Sequence, residues 1–249
     1  MESSPRICVI IPVYNHGLTV QAIVREAKAQ LQVIAVDDGS TDRTASILAA
    51  ETGISVVTLP RNQGKAAALL AGFERARELG YSHSITIDAD GQHSTGALGQ
   101  FANNCRRHPE AMIIGVRDLK AAGAPFGRRF SNALSNFWFR FETDVYLKDT
   151  QCGYRVYPLA GIGPLRIKSS RYAFELEILV KAAWAGLPLV AQPVETDYAA
   201  PTSRLSHFHP LLDFVEVSCV HARLATQASC LPARWRRLFG RRPVNKTHE

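Results

Sequence analysis

Two carboxylates, Asp88 and Asp90, stand two residues apart at the end of a short apolar run, in the stretch Asp88-Ala89-Asp90-Gly91-Gln92-His93. In an extended backbone alternate side chains project to the same side, so both acids face one spot and can share a divalent cation. Oxygen ligands of this kind suit Mg²⁺ or Mn²⁺, and such an ion bridges nucleotide phosphates while keeping several waters. A lone D-x-D occurs often in surface turns. This one gains weight from a second acidic pair, Asp37-Asp38, that also follows an apolar run. Asp38, ionised and acceptor-only, suits a base N–H or ribose hydroxyls; its plainer reading is a turn residue beside Gly39. Lys65 either pairs with a diphosphate or merely opens a helix.

These residues need a scaffold that brings strand ends together. From residue 7 to about 116, short β-branched runs alternate with stretches of helical composition, the pattern of a parallel sheet with crossover helices. The pattern predicts strands at 7–13, 32–37, 54–59, 83–88 and 111–116, with helices at 18–30, 42–51, 64–79 and 95–107. Ser40-Thr41-Asp42 offers N-cap chemistry for the second helix. In an open doubly wound sheet ligands sit at the carboxyl ends of the strands, and Tyr14-Asn15, Asp37-Asp38, Asn62-Gln63-Gly64-Lys65 and Asp88-Ala89-Asp90 all fall there. Beyond 117 the alternation stops. A helix at 128–141, an extended stretch Asp149–Arg155, a helix at 172–185, a strand at 188–195, a polar loop at 199–207 and a helix at 209–227 are expected.

The 249 residues are enough for one large α/β domain and a short appendage. Five scattered cysteines fit no disulfide framework and suit a reducing cytoplasm. No run is long enough to span a bilayer, and no signal-peptide pattern is present. The net charge of +7 points to an anionic partner. Near the end, Arg234, Arg236, Arg237, Arg241 and Arg242 interleave with Trp235, Leu238 and Phe239, which suits an anionic membrane surface or is simply a frayed basic tail.

In order and spacing, Pro12-Val13-Tyr14-Asn15, Val36-Asp37-Asp38-Gly39-Ser40-Thr41-Asp42, Asn62-Gln63-Gly64-Lys65-Ala66 and Asp88-Ala89-Asp90-Gly91-Gln92-His93 resemble the family 2 glycosyltransferases, and most of all the dolichyl-phosphate mannosyltransferase-like branch. The resemblance implies the α/β GT-A fold, an open, mostly parallel, Rossmann-like sheet flanked by helices. It divides the chain into a domain over 1–227, with a nucleotide-sugar half at 7–116 and an acceptor half at 117–227, and a basic tail at 228–249. It implies that Pro12, Tyr14, Val36, Asp38, Lys65, Asp88 and Ala89 contact a GDP- or UDP-sugar, and that Asp88, Asp90 and Gln92 hold the metal. Arg117, Arg128, Arg129 and Asn136 match the region that binds a lipid-linked acceptor's phosphate. Asp149–Arg155 resembles the branch's D-x-T-S-G-F-R stretch, and Phe174-Glu175-Leu176-Glu177 its aromatic-Gln/Glu-x-Glu helix start. Three departures stand out. His16 replaces an acidic residue, Pro201 an arginine, and Ser206-His207 a Ser-Lys pair, with Arg204 as the nearby substitute and His207 as a contact to diphosphate or a packing histidine.

The reaction implied is an inverting displacement at the anomeric carbon, with negative charge growing on the departing diphosphate, which a cation at Asp88 and Asp90 would offset. A phosphate acceptor needs no general base. A hydroxyl acceptor does, and Glu177, Glu175 and Asp149 are the candidates, though for either glutamate favourable charge at a helix N-terminus is an equal reading. Tyr154 and Trp184 read as core, and Cys152 as structural. A nucleic-acid binder would not place paired carboxylates at a strand end. A Rossmann dehydrogenase would show G-x-G-x-x-G after the first strand. A nucleotidyltransferase and a silent sugar-nucleotide binder stay open. The expected location is cytoplasmic, peripheral on the inner face of the cytoplasmic membrane.

Overall fold

The computed structural model describes residues 4–91, 94–171, 173–196 and 210–230. The chain runs β1 (Ile7–Val13), α1 (Val20–Lys28), β2 (Gln32–Asp37), α2 (Thr44–Ala50), β3 (Ser55–Thr58), α3 (Lys65–Glu78), β4 (His83–Thr86), a 3₁₀ turn at Thr95–Ala97, α4 (Leu98–Arg107) and β5 (Met112–Val116). It continues through α5 (Phe126–Thr143), β6 (Arg155–Pro158), α6 (Leu159–Ile162), α7 (Ala173–Trp184), β7 (Leu189–Pro193) and α8 (Pro210–Cys230). Every expected element inside the described residues is present, with ends moved by a few positions. One strand was not foreseen, β6.

The seven strands form one sheet in the order β3-β2-β1-β4-β6-β5-β7. All neighbours are parallel except β6, which runs antiparallel to both β4 and β5. β5 therefore joins the rest of the sheet only through β6, a strand from much later in the chain. Between β1 and β4 the strand order reverses, the switch point at which such sheets open a crevice.

Helices cover both faces, so β1 reads as an unbroken apolar run rather than an alternating one. Cys8 and Ile10 point to the layer that contains α3, α5, α7 and α8, whereas Ile7, Val9, Ile11 and Val13 point to the layer of α1, α2 and α4. Gly72 lets α3 lie close on the sheet, since a Cβ there would stand 2.6 Å from Ile10. In the other layer Phe101 stacks on Tyr154 with ring centroids 4.3 Å apart. Tyr154 and the half-buried Trp184 thus belong to the packing, as their types suggest.

Candidate active site

The first half of the site is a set of loops at the carboxyl ends of β1, β2, β3 and β4, held to one another by short polar side chains. Asn15, in a left-handed conformation with φ 55°, accepts from the Thr41 amide at 2.8 Å, and its own amide donates to Ser40 Oγ at 3.0 Å. Asp37 turns back to accept from the Ser40 amide at 2.9 Å. Asp42 accepts from the amides of Thr44 and Gly17, so it caps α2 from just before its first turn and ties down the β1 loop as well. Gly39 has φ +68°, and a Cβ there would collide with the Arg61 backbone at 2.4 Å; only glycine permits this approach of the β2 and β3 loops.

Asp38 is buried, its amide donating to the Val13 carbonyl at 2.8 Å, while Tyr14 and Pro12 are both half-buried. Its two carboxylate oxygens accept from the amides of Gln63 and Gly64 at 2.8 and 2.7 Å, shaping the loop that leads into Lys65. Burial raises its pKa, partly offset by those two amides. Val36 and Ala89 turn their side chains into the core, so neither side chain is open to a ligand. The Ala89 carbonyl accepts from the Thr19 hydroxyl at 2.6 Å, which anchors the acidic stretch to the start of α1.

β4 itself ends at Thr86 and the chain turns at Ala89–Asp90, yet burial still alternates: Ile87 and Ala89 are buried while Asp88 and Asp90 are half-exposed. Asp88 Oδ1 lies 2.7 Å from Lys65 Nζ, and the same ammonium lies 3.0 Å from Glu175 Oε2 at the start of α7. The three charges sit directly over Gly153. A Cβ there would come within 2.8 Å of both Asp88 Oδ2 and Lys65 Nζ, and within 3.1 Å of Glu175 Oε1. Mg²⁺ typically takes one or two carboxylates and completes its shell with water and substrate phosphate. Asp88 and Asp90 are two half-exposed carboxylates with no third acid grouped with them among the described residues, a donor set that fits an ion keeping most of its shell as water and phosphate. Gln92 lies outside the described residues, as do Arg204, His207 and the basic tail from 231 onward.

The second half of the site is built from buried charge. Asp149, fully buried, accepts from Arg117 Nε at 2.6 Å and Arg117 Nη2 at 3.0 Å, from Asn132 Nδ2 at 2.6 Å and from the Gln151 amide. Burial alone would raise the Asp149 carboxyl, but the Arg117 guanidinium more than offsets this and holds it below the usual carboxylate range. Arg128 lies one turn before Asn132 on the same face of α5 and is half-buried; Arg129, next along, faces solvent. Asn136 is taken up by Thr150, Asn132 and the Lys148 carbonyl, which makes it a brace for the segment at 148–150. Arg155, with no exposed surface, donates to the carbonyls of Cys152, Glu175 and Thr150 at 2.7, 2.5 and 2.8 Å. It locks the segment from Thr150 to Arg155 onto the start of α7. Burial pushes the Cys152 thiol up to about 12, so it is no nucleophile.

Of the three candidate bases, Glu175 faces the crevice and Glu177 does not. Glu177 accepts from the amides of Lys168 and Ser169 and from the Ser169 hydroxyl, and forms ion pairs with Lys181 at 2.7 Å and Arg223 at 2.8 Å. Burial opposes its ionisation, but these partners win and hold its pKa at about 2, far too acidic to take a proton from a hydroxyl at neutral pH. It ties α7 to α8. The two glutamates are two apart on a helix and must point differently; Lys168, Ser169 and Arg223 take up Glu177, which leaves Glu175 toward Lys65.

Comparison with known proteins matches this geometry. The family model for glycosyl transferase family 2 covers residues 8–162. A polyprenol monophosphomannose synthase from Mycolicibacterium smegmatis is 30% identical over 208 residues, 78% of each chain. An undecaprenyl-phosphate mannosyltransferase from Micrococcus luteus is 30% identical over 203 residues, 76% of this chain and 82% of that one. Among solved structures, S. aureus TarS 1–349 in complex with UDP-GlcNAc shares the fold, with a TM-score of 0.58 at 16% identity over 92% of this chain and 69% of that one. The chain belongs to glycosyl transferase family 2: it is a glycosyltransferase of the GT-A fold, in the dolichyl-phosphate mannosyltransferase-like branch.

Proposed function

We propose that the enzyme transfers one sugar from a nucleoside diphosphate sugar to a polyprenyl-phosphate type of lipid acceptor, in a single inverting displacement assisted by Mg²⁺ or Mn²⁺. The observation that carries the reading is the segment Asp149–Arg155, which touches both halves at once. At one end Asp149 orients Arg117, and at Gly153 it seats Lys65, Asp88 and Glu175. A donor diphosphate at the strand ends and an acceptor anion near Arg117 and Arg128 would then lie on either side of one short, rigid piece of chain.

Asp88 and Asp90 would hold the divalent ion, whose chemistry is to offset charge on the departing diphosphate. Lys65 already faces Asp88 and adds a second cation beside the leaving group. The three candidate bases are each held by cations: Asp149 by Arg117, Glu177 by Lys181 and Arg223, and Glu175 by Lys65. That favours an acceptor that arrives ionised, a phosphate, over a hydroxyl that must lose a proton. The relatives named above for polyprenol and undecaprenyl-phosphate chemistry support the same choice. The lipid acceptors named for those relatives support a peripheral position on the cytoplasmic face of the membrane; no helix among the described residues is long and apolar enough to cross it.

The test is turnover of a panel of GDP- and UDP-sugars with a polyprenyl phosphate, with and without Mn²⁺. The expected products are a glycosyl-phosphoryl lipid and a nucleoside diphosphate, with Asp90→Ala inactive but folded. Release of pyrophosphate would mean nucleotidyl transfer instead, and full activity in excess EDTA would remove the metal from the scheme.

A further inference from the structure

Helix α5 turns its inner face to the site and its outer face to water, and that outer face is aromatic. Phe126, Phe130, Phe137 and Phe141 are 74%, 56%, 60% and 51% exposed, an unusual fate for phenylalanine. Their spacing of four, seven and four residues puts all four within about 60° around the helix axis, in a stripe about 22 Å long. Asn132, Ser135, Phe139, Glu142 and Thr143 are buried on the opposite side. Phe126 stacks on Phe130 with centroids 6.3 Å apart, and Trp138 meets Phe137 and Phe141 edge-on at 5.5 and 5.9 Å, so the rings form two clusters, with exposed Ala133 and half-buried Leu134 between them. Tyr146, 59% exposed, follows just past the helix end.

The charges beside the stripe have one sign. Arg129 and Arg140 are both exposed and lie along the same edge of it, while Glu142 is buried and Asp144, beyond the last turn, is the only exposed acid on or next to the helix among the described residues. An apolar stripe bordered by arginines is the arrangement of a helix that lies in the plane of an anionic lipid surface. A second copy of the chain is a poor occupant, because antiparallel packing of two such helices would set Arg129 against Arg140. A lipid surface also agrees with the inner face of the same helix, where Asn132 reaches the Asp149–Arg117 pair.

We infer that the outer face of α5, through Phe126, Phe130, Phe137 and Phe141, docks the enzyme on an anionic bilayer and so presents the Arg117 side of the site to a lipid-linked acceptor. The choice of occupant rests on the lipid-acceptor reading above. The docking itself is measured separately. The full chain is sedimented with vesicles of phosphatidylglycerol and phosphatidylcholine, or of phosphatidylcholine alone. The wild type should pellet with the anionic vesicles, and Phe130→Gln/Phe137→Gln/Phe141→Gln should partition about tenfold less, with unchanged thermal unfolding. Arg140→Gln should weaken anionic binding about fivefold and leave neutral vesicles unaffected. Transfer to a short-chain, water-soluble acceptor should be the same in wild type and triple variant, while transfer to a long-chain acceptor in vesicles should fall with binding. Wild-type partitioning retained by the triple variant overturns the inference, as does a wild-type dimer that the triple variant converts to monomer. No transfer by the wild type to the short acceptor would instead defeat the proposed function and leave the vesicle result standing.

Discussion

The two halves of the site are held in place by different physics. Around the ends of β1, β2 and β3, the side chains of Asn15, Asp37, Asp38 and Asp42 each bond backbone amides, Asp37 and Asp42 within their own turn and Asn15 and Asp38 across to the next loop. Across the crevice, positions are set by charge buried in the interior: Arg155 on three carbonyls, Asp149 on Arg117, and Glu177 between Lys181 and Arg223. Each of these nucleotide-side ties is a single amide in a part-buried or exposed loop, where water can take the place of a lost partner. A buried ion has no such substitute, because removing one partner leaves the other without compensation. The lesson is that the nucleotide side can tolerate local change, whereas the acceptor side stands or falls as a unit.

The largest expected effect follows directly. Arg155→Met leaves the buried carbonyls of Cys152 and Thr150 without donors, each worth about 1–3 kcal/mol, while that of Glu175 keeps its helical bond, so urea unfolding should show a loss of about 2 kcal/mol or more. Asp42→Ala, which removes a cap and one loop tie on the nucleotide side, should lose only about 1 kcal/mol. Equal losses would erase the distinction. Next comes Gly153→Ala. Its added methyl meets the ends of flexible side chains rather than backbone, so the fold should survive with a nearly unchanged melting temperature. Displacing Asp88 and Lys65 from the place where both halves meet should nonetheless lower kcat/KM on the order of 10²-fold. Wild-type kinetics in this variant would show that the trio over Gly153 does not position the reacting groups.

The smallest effect is one that is present at neutral pH and fades in acid. Glu177 has a folded pKa of about 2, below its unfolded value, so its stabilisation is complete above about pH 5, declines as the pH falls, and is lost near pH 2. Glu177→Gln should therefore flatten the acid limb of stability between about pH 5 and 2, measured by denaturant titration at each pH. An unaltered acid limb would mean that the ties of Glu177 to α8 carry little of the acceptor side's stability.

The contrast between the halves also explains what the sequence disclosed. The loops of the first half are legible because a polar cluster after each apolar run marks a strand end, and Asp88 and Asp90 stay half-exposed beside buried Ile87 and Ala89 although β4 stops at Thr86. β6 was missed because Arg155-Val156-Tyr157-Pro158 carries a charge and a proline where an interior strand usually has neither, and only its neighbours supply the partners that make the arginine tolerable. The Arg117–Asp149 clamp spans 32 residues and the Lys65–Glu175 pair more than a hundred, distances over which spacing says nothing. For the same reason the choice between Glu175 and Glu177 was undetermined until α8 supplied Arg223.

The place of β6 in the sheet has a consequence for how the protein comes into being. β5 leaves the ribosome some forty residues before the strand that links it to β4, so in the interval it has no edge to join and its apolar residues Met112, Ile113 and Ile114 must wait. The four strands β3, β2, β1 and β4 can assemble as they emerge, but the sheet closes only when β6 is slotted between β4 and β5. Such a late, non-local insertion is slow compared with local pairing and leaves an aggregation-prone edge exposed in the meantime. Synthesis that stalls between residues 117 and 154 should thus yield a nascent chain that recruits chaperones, and a fragment ending at Val116 should be insoluble even though it contains every residue of the nucleotide-side loops.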